Sequence, residues 1–271
     1  MAKSIYCAAS LTCHGKNMFK NTALFRFNNL HRFLIALCIA LTATTSLADW
    51  SGKGEAGLVV AKGNTETETG NVKVELANEV GAFKHSVGIA ALYASIEGDK
   101  TAERWELYGQ SDYNLSARTF AFGSFRYEQD EFSGFDNQIS LAFGMGQKFI
   151  DSERTKLVGT AGIGYKILET DDVEDALGNI IEEGERENEA ILKATLDLDH
   201  ALTDTTTILN AFIVESGSSN TYAENTTSLQ VKMSDKLALA VGFTVRHNSE
   251  PPAGFVSTDK LTTINLVYEI D

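Results

Sequence analysis

Eight charged residues recur at alternate positions in segments whose intervening residues are large and apolar: Arg104, Glu106, Asp112, Lys148, Lys156, Lys166, Lys232 and Arg246. They share their faces with Gly, Ala, Ser and Thr. Mixed charges on one face of a strand can do two things. Lining a narrow aqueous path they would select among ions; paired across a closed interior they would satisfy one another, each removal leaving an uncompensated partner. Neither role is catalytic. The sequence carries no GxSxG, HExxH or Walker-type run. Gly144-Met145-Gly146 and Gly162-Ile163-Gly164 lack the strand–turn–helix setting of a dinucleotide site and read as close backbone packing or small interior residues. His85, His200 and His247 fall near strand ends as isolated interface residues, with no nucleophile placed beside them by spacing. The reading is of a protein that is not an enzyme, with no catalytic residue, no cofactor and no metal ligand assigned. The acidic stretch 169–189 could hold Ca²⁺, or Mg²⁺ bridging to lipopolysaccharide phosphates, or stay a hydrated loop; its spacing departs from D-x-[DN]-x-[DN]-G.

What positions these charges is a set of strands. Between Phe135 and Tyr165, Ile139, Leu141, Phe143, Met145 and Phe149 alternate with Gln138, Ser140, Ala142, Gly144, Gly146 and Lys148; the pattern resumes after Asp151–Thr155. Period two over such lengths makes a strand with two unlike faces. The same alternation predicts strands at 55–62, 69–80, 83–96, 102–115, 119–132, 190–201, 206–215, 226–233, 237–247 and 261–270, twelve in all. Links after even-numbered strands are brief (81–82, 116–118, 151–155, 203–205, 234–236), whereas those after odd-numbered strands include 169–189, 216–224 and the 248–258 loop with Pro251 and Pro252. An even strand count with short turns at one end and longer loops at the other is the pattern of an up-and-down antiparallel transmembrane β-barrel. Both termini would lie at the short-turn, periplasmic end. Trp105 and Tyr113 stand eight residues apart on one face, and Phe83 and Tyr93 ten apart. At about 3.3 Å per residue and a tilt of about 40°, these spans project to roughly 20–25 Å, the height of an apolar band between aromatic girdles. The competing reading is a soluble β-sandwich with the same aromatics in its core.

Composition agrees. The 271 residues include 22 Gly and only 2 Pro, which suits long strands, and the net charge of -14 argues against nucleic acid as a partner. Residues 33–41, FLIALCIAL, follow Lys20, Arg26 and Arg32 and lead to Ser46 and Ala48. That predicts a signal peptide, residues 1–48, with cleavage before Asp49, and Met18 as an alternative start. Nine apolar residues cannot span about 30 Å of hydrocarbon as a helix. Residues 1–48 hold five basic and no acidic residues, leaving 18 basic against 37 acidic, a net of −19, in the barrel at 49–271. Cys7, Cys13 and Cys38 all precede the cleavage point, so the mature chain has no thiol chemistry.

WSGKGEAGLVVAKGNTETET at 50–69, DEFSGFD at 130–136 and RHNSEPPAGF with TDKLTTINLVYEI within 246–270 resemble the salt-induced outer-membrane proteins of Gram-negative bacteria, a YdiY-like family classed as a domain of unknown function. The resemblance covers essentially all of the mature chain. It implies a cell outer-membrane β-barrel in contact with outer-membrane lipid, lipopolysaccharide and the barrel-insertion machinery. No established activity, cofactor or catalytic residue comes with it. One departure stands out: such barrels usually end in an aromatic residue, whereas this sequence ends Tyr268-Glu269-Ile270-Asp271. Two functions stay open, a narrow channel or a non-conducting barrel that supports the envelope or presents acidic loops to partners.

Overall fold

The computed structural model describes residues 50–61, 67–131, 133, 135–170, 173–174, 180–182, 184–252 and 255–270. The predicted signal peptide at 1–48, with Met18, lies outside the described residues, as do Asp271 and part of the acidic 169–189 segment. Among the described residues, fourteen strands run in chain order as β1 (Ser51–Ala61), β2 (Thr67–Val80), β3 (Phe83–Ile96), β4 (Asp99–Asn114), β5 (Thr119–Asp130), β6 (Phe135–Asp151), β7 (Thr155–Thr170), β8 (Val173–Glu174), β9 (Ile180–Glu182), β10 (Arg186–Ala201), β11 (Thr206–Ser216), β12 (Thr221–Lys232), β13 (Leu237–Asn248) and β14 (Thr258–Ile270).

Twelve of them close into one antiparallel barrel, in the order β1-β14-β13-β12-β11-β10-β7-β6-β5-β4-β3-β2; β8 and β9 pair as a separate ribbon in the acidic segment. The up-and-down barrel expected from alternation is therefore the fold. Closure runs along β1 and β14, from Gly52↔Ile270 to Ala56↔Leu266, the shortest ladder in the ring. It removes the two unpaired edges that an open twelve-stranded sheet would present.

Four of the short turns use one device. Ser116, Ser152, Thr203 and Ser234 each accept, through the side-chain hydroxyl, the backbone N–H three residues on, at 3.0–3.2 Å. Each also donates its own N–H to the carbonyl of that residue. A hydroxyl there satisfies a backbone donor that the ladder leaves free.

The strands extend further toward the loop end than alternation alone indicates. β4 starts at Asp99 rather than Ala102, β10 at Arg186 rather than Ala190, β12 at Thr221 rather than Thr226 and β14 at Thr258 rather than Leu261. The added residues are mostly polar, so backbone pairing continues beyond the height at which an apolar face is needed. The expected link 97–100 shrinks to Glu97-Gly98, whose φ values of 52° and 83° suit a two-residue hairpin turn.

The outward face is apolar: Val87, Ile89, Leu107, Leu141, Phe143, Met145, Ile163, Leu192, Leu239, Val241, Ile264 and Leu266 are all exposed. Outward aromatics pair across strands at two heights. Phe83 packs on Tyr113 with ring centroids 5.0 Å apart near the short turns, and Trp105 on Tyr127 at 4.9 Å near the loops. These are not the interior residues a sandwich would make of them. Gly144 and Gly162 face each other across β6 and β7, where a Cβ on either would run into the opposite backbone.

Candidate functional site: the barrel lumen

The inward face carries a connected set of charges rather than a smooth wall. On β4 the Arg104 guanidinium donates to Glu106 at 2.6 Å and to Glu128 of β5 at 2.7 Å. Arg126, next on the inward face of β5, pairs with Glu128 and lies 3.3 Å from Glu106. Arg126 also reaches across the lumen, donating to the Tyr222 hydroxyl of β12 at 3.1 Å, with its guanidinium 4.8 Å from the ring centroid. The Tyr222 hydroxyl donates in turn to Glu224 at 2.7 Å, and Arg246 of β13 donates to the same carboxylate at 2.5 Å. β4 and β12 are diametrically opposite in the ring, yet Arg104 lies 4.0 Å from Glu224.

A second arm completes the bridge. Glu215 of β11 receives Ser140 of β6 at 3.0 Å and forms ion pairs with Lys193 of β10 at 3.3 Å and Lys166 of β7 at 3.5 Å. Lys166 stands 5.2 Å from the Tyr222 ring centroid, joining the two arms. The network thus draws on eight of the twelve barrel strands. Two of its carboxylates are deeply buried, with Glu215 1% and Glu128 2% exposed. Such groups persist only because each faces a cation and further hydrogen bonds.

On the remaining wall, Lys53 of β1 lies 3.4 Å from Glu55 and from Glu75, and Lys73 of β2 lies 3.0 Å from Glu75. Tyr108 of β4 donates to Glu75 at 2.7 Å. Between this group, the network and the inward face of β10 lies a cavity of about 320 Å³. Its lining includes Asp197 and Asp199 of β10, and neither forms an ion pair among the described residues.

All eight sequence-predicted lumen charges occupy inward-facing register positions, but the structure does not bring them together as one set. Arg104, Glu106, Lys166 and Arg246 belong to the network. Asp112 accepts a hydrogen bond from Gln110 at 2.8 Å near the short turns. Lys156 and Lys232 are exposed at strand ends, and Lys148 sits at the short-turn end of β6. None of those three forms an ion pair among the described residues, so of the two roles open to the set, mutual pairing does not extend to them.

Most partners are residues that alternation did not single out: Arg126, Glu128, Lys193, Glu215, Tyr222 and Glu224. The histidines also depart from expectation, because they are not isolated. His85 pairs with Ser111 at 3.0 Å, His200 with Thr155 at 2.8 Å and His247 with Thr258 at 2.9 Å. In each case the two residues are registered partners on adjacent strands. One geometry repeated at three strand ends is cross-strand pairing.

Comparison with known proteins places the chain in a group. A protein 22% identical over 222 residues, covering 82% of this chain and 83% of its own length, is the uncharacterized protein YdiY of Escherichia coli strain K12. Among solved structures, the translocator domain of the autotransporter NalP from Neisseria meningitidis aligns with a TM-score of 0.48 and 11% identity, over 89% of this chain and 97% of that one. The NanC porin aligns with a TM-score of 0.46 and 8% identity, over 82% and 99%. The profile of the family described as "Protein of unknown function, DUF481" matches residues 54–270, nearly the whole barrel, and the chain belongs to that family.

Proposed function

We propose that residues 49–271 form an integral barrel of the outer membrane, released from a signal peptide at 1–48, whose lumen is too constricted for general diffusion and admits at most small ions. The observation that carries this reading is the ion-pair network joining opposite walls, with Arg104 of β4 4.0 Å from Glu224 of β12. The apolar outward face bounded by two levels of paired aromatics supports residence in a bilayer. Outer-membrane lipid and lipopolysaccharide are the partners this setting supplies, the latter through divalent cations bridging its phosphates to the acidic 169–189 segment. A link to salt or envelope stress rests on the family resemblance alone.

A second reading, a non-conducting barrel that supports the envelope, is favoured by the way the network ties eight strands together. Conductance of the purified protein in planar bilayers separates the two. Small, infrequent steps well below those of a general diffusion porin support the constricted channel, and silence supports the structural barrel. Large, long-lived steps would overturn both.

A further inference from the structure

Among the described residues, four cations line the lumen cavity, Lys53, Lys73, Arg104 and Arg246, and six carboxylates face it, Glu55, Glu75, Glu106, Glu224, Asp197 and Asp199. Every one of the four cations is already committed to a glutamate, at 2.5–3.4 Å. The four glutamates are the other halves of those pairs. Among these lining residues Asp197 and Asp199, two residues apart on the inward face of β10, account for the excess of two negative charges; Lys156, registered with Asp199 on β7, is exposed beyond the lining and forms no ion pair with either among the described residues. We infer that the cavity is a cation-selecting vestibule and that Asp197 and Asp199, rather than the lysines of the network, determine its selectivity.

The physical ground is that paired charges cancel at a few ångströms, while an uncompensated pair inside a low-dielectric wall sets the sign of the potential in the space before it. The remaining described lining residues leave that potential alone, because all of them are uncharged. Small inorganic cations and primary ammonium ions are the species that such a wall would concentrate, and anions of the same size would be kept out.

The inference rests on the reading of a constricted lumen that small ions enter, and it is tested without requiring current to flow. All three cysteines lie before residue 48, so a cysteine placed in the cavity is distinguishable by comparison with unsubstituted protein. Ala211 is suitable, being registered with Asp197 on the neighbouring strand and lining the cavity. Ala211→Cys protein, shown to be folded by its migration in gels without heating, is reacted with cationic trimethylammonium and anionic sulfonate methanethiosulfonates of similar size. With each rate taken relative to that reagent's rate with a simple free thiol, the cationic reagent is expected to react at least about tenfold faster. In the background of Asp197→Asn with Asp199→Asn the ratio is expected to fall toward one, while Lys232→Gln, at an exposed strand end, leaves it in place. Equal rates, a preference for the anion, or a ratio indifferent to the two aspartates would overturn the inference and leave the constricted-lumen reading standing. If the folded protein reacts with neither reagent, the cavity is closed to ions of this size and the inference is overturned, while conductance still tests the constricted lumen.

Discussion

Glu215 is the residue on which one arm of the lumen network turns. Its side chain is fully buried and receives Ser140, Lys166 and Lys193, from three other strands. Glu215→Gln would keep the shape and the hydrogen bond from Ser140 but leave two buried ammonium groups without their shared counter-charge. The expected cost is about 3 kcal/mol or more, read as a fall in the temperature at which folded protein converts to the slow-migrating form. Lys156→Gln and Lys232→Gln, at exposed strand ends, should shift it by no more than about 0.5 kcal/mol. If all three variants behave alike, the buried cluster does not hold the walls together. Some of this cluster was legible in the sequence. Lys193 alternates with Leu192 and Ala194 in a clear pattern and could have been placed by the same logic as Arg104. Arg126, Glu128 and Glu215 were hidden for a physical reason. β5 has Phe120 and Phe122 on its inward face and Phe125 and Tyr127 outward, and ILNAFIV in β11 is apolar on both faces, so parity there points to no single face. Partners on distant strands, such as Arg126 and Tyr222, depend on barrel circumference, which no single strand encodes.

At the scale of elements, pairing order and turn position were readable and strand length was not. The short turns at 116–118, 151–155, 203–205 and 234–236 are punctuated by Ser or Thr followed by charged or polar residues, and the structure shows those hydroxyls capping the turns. Hydrophobic alternation, in contrast, records only the part of a strand that must face an apolar medium. The polar continuations of β10, β12 and β14 were therefore missed. The alternation of turns and loops leads to a topological expectation. A tag inserted between Ala176 and Gly178 should be labelled on intact cells, and one at Asp235 should be reached only after the outer membrane is breached. The reverse pattern would place the short turns outside, and equal labelling at both sites would remove the barrel from the membrane.

At the scale of the molecule, a ring with an apolar outside and a charged, internally paired inside is a solution for lipid rather than water. The protein is expected to sediment with outer membranes, to need detergent for release, and to change its gel migration on heating; recovery in a detergent-free periplasmic extract would mean that the exposed leucines and phenylalanines are covered in some other way. The seam between β1 and β14 has a further consequence, for the rate at which this ring can form. Every other ladder joins strands that follow one another in the barrel and can zip outward from the link between them. The seam has no such link, and its first pair, Gly52 with Ile270, is separated by nearly the whole described chain. Its closure bears the largest loop entropy for the fewest paired positions. Assembly therefore passes through a curled sheet with two free edges, and the lifetime of that sheet is the interval in which the chain can pair with another.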